Sequence, residues 1–177
     1  MEQYKEGATV ISGFPPIAAA SAEVLILGSM PGKASLDVCQ YYAHPRNAFW
    51  PIICRLFGAQ LAAGYEARLA LIEANHIALW DVMHRCEREG SLDAAIKPST
   101  VVANDFVGFF ANHPSIRHLF FNGAQAEASF KRHVVPLLSA EGWVFEMQRL
   151  PSTSPAHAAL SFEEKLAQWC RVRDVMA

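Results

Sequence analysis

Apolar residues fall into short unbroken runs that alternate with longer stretches at helical spacing. Val24 to Leu27, inside S-A-E-V-L-I-L-G-S-M-P-G, has no polar position, the pattern of a strand buried on both faces, and it ends in a glycine and proline loop. Ala48 to Phe57 carries apolar residues at helical spacing and stops at Gly58, and Tyr65 to Ala74 predicts a second helix. Ile77 to Val82 is a second strand, and Asn104 is placed to cap a helix over Asp105 to Ala111, ending before Pro114. Ile116 to Phe121 is a third strand, closed by Asn122-Gly123. Ala124 to Leu138 reads as one helix with Pro136 near its end, and Val144 to Leu150 as the last strand. Ser161 with Glu164 three residues later forms a capping box for a terminal helix through Val175. Residues 84–103 read as an irregular excursion, long enough to suggest a functional loop.

Strands separated by helices predict an α/β protein: a single-domain three-layer α/β/α sandwich over residues 1–177 with a central, mainly parallel four-stranded sheet. Composition agrees. With 52% hydrophobic and 18% charged residues, the 177-residue chain excludes a disordered arm. Fifteen Lys+Arg against 17 Asp+Glu leave a net charge of −2, which argues against a protein that coats DNA but not against contact with a few phosphates. Cys39, Cys54, Cys86 and Cys170 form no C-x-x-C pair and read as buried or semi-buried free thiols. Glu2, Lys5 and Glu6 stand where a leader needs basic then apolar residues, and no apolar run approaches the ~20 residues that span a bilayer. A cytoplasmic protein with no membrane partner is expected. The histidines show no metal-ligand spacing, and nothing indicates a cofactor or metal.

In open α/β sheets ligands bind beyond the carboxyl ends of the strands, which here lead into four loops. Gly28 to Ser35, G-S-M-P-G-K-A-S, fails the phosphate-loop spacing because Ala34 follows Lys33, and fails the nucleophile elbow because Met30 occupies the central position. A rigid turn exposing backbone N–H groups fits it better. In Y-Y-A-H-P-R-N-A-F-W, Tyr41 and Tyr42 cannot share one face of a regular element, so at least one reaches into or covers a cleft; the plainer reading is core and rim aromatics, with Asn47 as a helix N-cap. Arg149 to Ala158, R-L-P-S-T-S-P-A-H-A, is a stiff loop whose Ser152, Thr153 and Ser154 can bond phosphate, or a bland connector. Asp37 and Asp81, near strand ends, read as structural.

Taken in order, these loops resemble the uracil-DNA glycosylase superfamily. The frame Gly28 to Gly32, then aromatic-Ala-His-Pro-x-Asn-x-Phe-Trp, is similar to the mismatch-specific branch, but Met30 replaces that branch's Asn. The double tyrosine, Met30 and the P-S-T-S-P-A loop look most like the hypoxanthine-DNA (deoxyinosine) glycosylase branch. The resemblance implies a monofunctional enzyme that hydrolyses the N-glycosidic bond of a flipped, deaminated base in DNA, working as a monomer and nucleoid-associated when it acts. It implies a base pocket of Gly28, Ser29, Met30, Pro31, Gly32 and Tyr42, with Tyr42 as stacking platform. A thioether cannot orient water, and the resemblance implies that the asparagine of the Y-Y-A-H-P-R-N stretch, Asn47, carries the catalytic role, with Asn122 in base recognition or transition-state support. Lys33, Arg46, Arg149, Ser152, Thr153, Ser154, Pro155 and His157 are expected on DNA, with the loop around Pro155 to His157 entering the gap left by the base. Leu150 stands where other branches have His. Three alternatives stay open: a uracil or mismatch glycosylase, a damage-binding module without catalysis, and a small-molecule binder.

Overall fold

Val24–Gly28 (β2) and Ile77–Asp81 (β3) are buried at every position, as the unbroken apolar runs require of strands covered on both faces. The protein is described here from a computed structural model, which covers residues 9–61 and 64–176; the N-terminal reading at Glu2, Lys5 and Glu6 lies outside the described residues. With His118–Asn122 (β6) and Glu146–Leu150 (β7), these strands form a four-stranded parallel sheet in the order β3-β2-β6-β7. Its two faces follow the two-residue period of the strands. Leu25, Leu27, Trp80, Leu119 and Phe121 pack under Phe106–Asn112 (α4), Ala124–His133 (α5) and Val135–Ala140 (α6). Val24, Ile26, Leu79 and Phe120 pack on the other side under Phe49–Leu56 (α2), Tyr65–Ala74 (α3) and Phe162–Asp174 (α7). The result is the expected α/β/α sandwich. Its terminal helix opens on the capping box of Ser161 and Glu164.

Four local readings change. Residues 84–103 are not irregular: Met83–Arg88 (β4) pairs antiparallel with Thr9–Ser12 (β1) and with Val102–Ala103 (β5), making a second, three-stranded sheet. Two 3-10 turns, Asp93–Ala95 and Pro98–Thr100, fill the span between β4 and β5. The cap of α4 is Asp105, whose side chain accepts the Gly108 N–H, while Asn104 instead donates its Nδ2 to the Asp81 carbonyl at 2.8 Å. The stretch Ala124 to Leu138 breaks at Val134, where Pro136 cannot donate to a continuing helix, and restarts as α6. A short helix, Lys33–Val38 (α1), follows the first glycine loop. Cys54 and Cys86 are buried and Cys170 half-buried, but Cys39 is exposed; all four are free.

Candidate active site

Parallel strands bring their carboxyl ends to one edge, and the registers Gly28↔Asp81 and Asn122↔Leu150 line up the residues from which the loops depart. Above that edge lies a cleft of about 670 Å³, within the range of roughly 300–1,000 Å³ usual for small-molecule sites. Its floor is Gly28 and Asp81. One lip is Ser91 to Ala94 and the other Ser152 to His157, with Tyr42, Asn47 and Asn122 on the walls between. All the pocket and catalytic residues expected from the sequence line this cleft, as do Lys33, Arg46, Ser152, Thr153, Ser154, Pro155 and His157. Arg149 does not: it faces Glu127 of α5 at 3.3 Å.

The tyrosine pair divides its labour. Tyr41 is core, with its hydroxyl on the Pro15 carbonyl at 2.9 Å and its own carbonyl accepting the Trp50 indole N–H at 2.8 Å. Tyr42 takes a left-handed backbone (φ 54) that turns its ring the other way. One face of that ring stacks on Phe49 at 4.0 Å between centroids, which leaves the opposite face to the cleft. Its hydroxyl is buried without a hydrogen-bond partner among the described residues. Burial, and then the Asp81 carboxylate, push that phenol above its ordinary range, while the neighbouring Asn122 amide opposes part of the rise.

Asn47 sits one residue ahead of the α2 N-cap, Ala48, and its Oδ1 accepts the Phe49 N–H at 2.9 Å. This bond fixes the amide plane. It leaves one Oδ1 lone pair and both Nδ2 hydrogens available to a water or a base. Asn122 is held more completely: its Oδ1 accepts the Thr153 N–H at 2.9 Å and its Nδ2 donates to Thr153 Oγ1 at 2.8 Å. Through this pair the sheet grips the 151–157 loop, which is also fastened by the Ala48 N–H on the Thr153 carbonyl, the Trp169 indole on Pro151 O and Lys165 Nζ on His157 O. Gly123, at φ +96, must be glycine because a Cβ there would reach within 3.0 Å of Ser152 Cβ. Thr153→Val should strand the Asn122 Nδ2 and lower stability by roughly 1–3 kcal/mol. It should also raise KM more than it lowers kcat, as thermal melts and steady-state kinetics would show.

The first loop is braced from below. Ser29 Oγ donates to both oxygens of Asp93, at 2.8 and 2.9 Å, and Lys33 N–H donates to Ser91 Oγ at 3.0 Å. Met30 is 6% exposed and packs into a small cluster with Met83 and Cys86 of the second sheet and Ile96 just after the first 3-10 turn, so no polar side chain stands at that position of the wall. At the rim Lys33 pairs with Asp37 at 3.0 Å, both well exposed, whereas Arg46 is exposed and makes no salt bridge among the described residues.

Asp81, read from the sequence as structural, also belongs to the cleft. It does end β3, but it is also buried, lines the cleft, and its Oδ2 has no hydrogen-bond partner among the described residues. A Cβ at position 28 would collide with its Oδ1 and come within 3.0 Å of the Tyr42 hydroxyl, so glycine at the end of β2 makes the space for it. Burial raises its pKa from 3.8 to about 7, helped by the charge of Asp93 and opposed by the Arg88 guanidinium. Asp93, which came from the stretch read as irregular, is itself raised by burial, with Ser29 and Arg88 pulling it back. Among the described residues no group of three His, Cys, Asp or Glu could hold a metal ion, and no helix is long and apolar enough to cross a membrane.

No protein-family model matches the chain. Two curated relatives do, both named hypoxanthine DNA glycosylase. The protein from Methanosarcina acetivorans is 36% identical over 158 residues, 89% of this chain and 94% of its own length, and that from Methanosarcina barkeri is 35% identical over the same spans. A solution NMR structure of a candidate uracil DNA glycosylase from Methanosarcina acetivorans superposes with a TM-score of 0.74 at 34% identity, covering 93% of this chain and 99% of that one. With that identity over nearly the whole length of its relatives, and a parallel sheet whose carboxyl edge carries the cleft, this chain belongs to the hypoxanthine DNA glycosylase family, a branch of DNA glycosylases with the uracil-DNA-glycosylase-like fold.

Proposed function

We propose that the protein hydrolyses the N-glycosidic bond of deoxyinosine in DNA, releasing hypoxanthine and leaving an abasic deoxyribose. The observation that carries this reading is the slot in the cleft: an aromatic face at Tyr42, backed by Phe49, stands over a floor and wall of polar groups at Asp81, Asn47 and Asn122. A flat base fits such a slot only after it leaves the duplex stack, and a deaminated, mispaired base leaves it most cheaply. The names of the two relatives supply the identity of the base.

The bond breaks through an oxocarbenium-like sugar, so the protein must hold the base, accommodate charge on the departing ring and deliver water to C1′. Tyr42 stacks on the base. Asn47, its plane set by the Phe49 N–H, orients the water through its free lone pair and Nδ2 hydrogens. Asn122 acts as a positioning residue, holding Thr153 and with it the 151–157 lip. Ser152, Ser154, Pro155, His157, Lys33 and Arg46 surround the mouth, where the pinched phosphate backbone passes. Lys33, the lysine among the described lining residues, sits at the rim paired with Asp37, which supports hydrolysis without strand cleavage.

The test is single-turnover cleavage of duplex oligonucleotides carrying deoxyinosine or deoxyuridine opposite each base, with and without alkali. Cleavage at deoxyinosine that appears only after alkali is the expected result. Cleavage confined to deoxyuridine would transfer the enzyme to uracil, and binding without release of either base would leave a damage-binding module.

A further inference from the structure

Asp81 combines features that ordinary strand ends lack. Its carboxyl group is buried yet lines the cleft, and among the described residues its Oδ2 is unpartnered and no salt bridge reaches it. The cation whose charge acts on it, Arg88 of β4, makes no bond to it: its Nε donates to the Gly90 carbonyl and its Nη2 to the Pro31 carbonyl. The other charged or titratable groups that face Asp81 are Asp93 from the 3-10 turn and the buried phenols of Tyr41 and Tyr42. None of these offers a compensating positive charge. Two buried donors that act on its charge, the Tyr42 hydroxyl and Arg88 Nη1, are likewise unpartnered and make no bond to it among the described residues, and its main-chain carbonyl, held by Asn104, already secures the strand end. A buried carboxyl without a partner in a binding cleft calls for a partner in the ligand.

On the reading that the flipped base is hypoxanthine, we infer that Asp81 is the general acid of the reaction, donating its proton to N7 of the departing purine. Of the base's acceptors, N7 shares the five-membered ring with N9, so a proton placed there draws electrons directly out of the scissile bond. The Asp81 O–H bond breaks and the N7–H bond forms. The C1′–N9 pair moves into the purine ring, and hypoxanthine leaves neutral. Water adds its oxygen to C1′ and releases one proton, which restores Asp81 through solvent. The neutral carboxyl that this demands is what the enclosure favours, since burial holds the proton on Asp81 until near pH 7. Gly28 is then part of the device, because only a residue without Cβ leaves the acid its place beside the cleft.

Two substrates and one variant test this. Single-turnover rates are measured from pH 5.5 to 9 on duplexes carrying deoxyinosine or 7-deaza-2′-deoxyinosine, which stacks alike but has carbon at position 7. Wild-type protein should cleave deoxyinosine with a rate that falls above about pH 7. Asp81→Asn, isosteric and unable to give up a proton, should be slower by about 10²–10⁴-fold and flat across that range. The 7-deaza duplex should bind but resist both proteins, and it probes the same step in the unaltered chain should the variant fold poorly. Wild-type cleavage of the 7-deaza substrate at the deoxyinosine rate, a rate that rises with pH, or a folded Asp81→Asn within a few-fold of wild type would each overturn the assignment. Failure of wild type to cleave deoxyinosine at any pH would remove the hypoxanthine reading itself, and this inference with it.

Discussion

Asn47→Ala is expected to lose about 10²–10³-fold in the single-turnover rate on deoxyinosine while the fold persists. The size follows from what the side chain can do. It is the only asparagine on the cleft wall that keeps both amide hydrogens and one oxygen lone pair unengaged by protein among the described residues, since Asn122 is bonded on both sides to Thr153. Removing such a preoriented group takes away stabilisation that water cannot restore in an enclosed site. The same change deletes the acceptor for the Phe49 N–H at the start of α2, so roughly 1 kcal/mol of stability should go with it. Asn47→Asp separates the two effects. It preserves an oxygen for Phe49, and with it most of the stability, but has no hydrogens to donate. An activity as low as that of Asn47→Ala would locate the function in the Nδ2 donors, and recovery of the rate would locate it in Oδ1. A fully active Asn47→Ala would leave water delivery to some other group.

The strands that build the site were legible because both of their faces are covered: V-L-I-L and I-A-L-W can be read only as buried runs, and the glycine and aspartate that end them mark where loops begin. The second sheet was not legible. In β4, M-H-R-C-E-R, the alternation is hidden because Arg88 is itself buried, held by carbonyls of Pro31 and Gly90, and a strand that buries an arginine looks like a polar loop. The 91–94 lip of the cleft went unseen for the same reason, and Asp93 with it. Met30 was legible as an absence of polar chemistry, though not as what it is in the fold, a plug seated among Met83, Cys86 and Ile96. Asp81 carried a signal that was available. It is the one charge in the otherwise apolar stretch from Ile77 to Met83, and a charge there has to be either paired or protonated.

That cost has a measurable sign. The folded chain holds the Asp81 proton to about pH 7, whereas the unfolded chain releases it near 3.8. Between those values the native state binds more protons than the unfolded state, so stability from this group is complete below about pH 4 and is lost as pH rises through 7. About three tenfold steps in proton affinity, at roughly 1.4 kcal/mol each, put the loss on the order of 4 kcal/mol. The comparison that isolates it is wild type against Asp81→Asn, since carboxylates common to both cancel. Denaturant midpoints should differ little at pH 4, and the variant should become progressively the more stable protein up to pH 8. Parallel curves for the two proteins would mean that Asp81 ionises in the folded chain as it does in water. A variant that gains stability at pH 8 while losing the rate on deoxyinosine would show a carboxyl kept in place for its proton, against the stability of the fold that holds it.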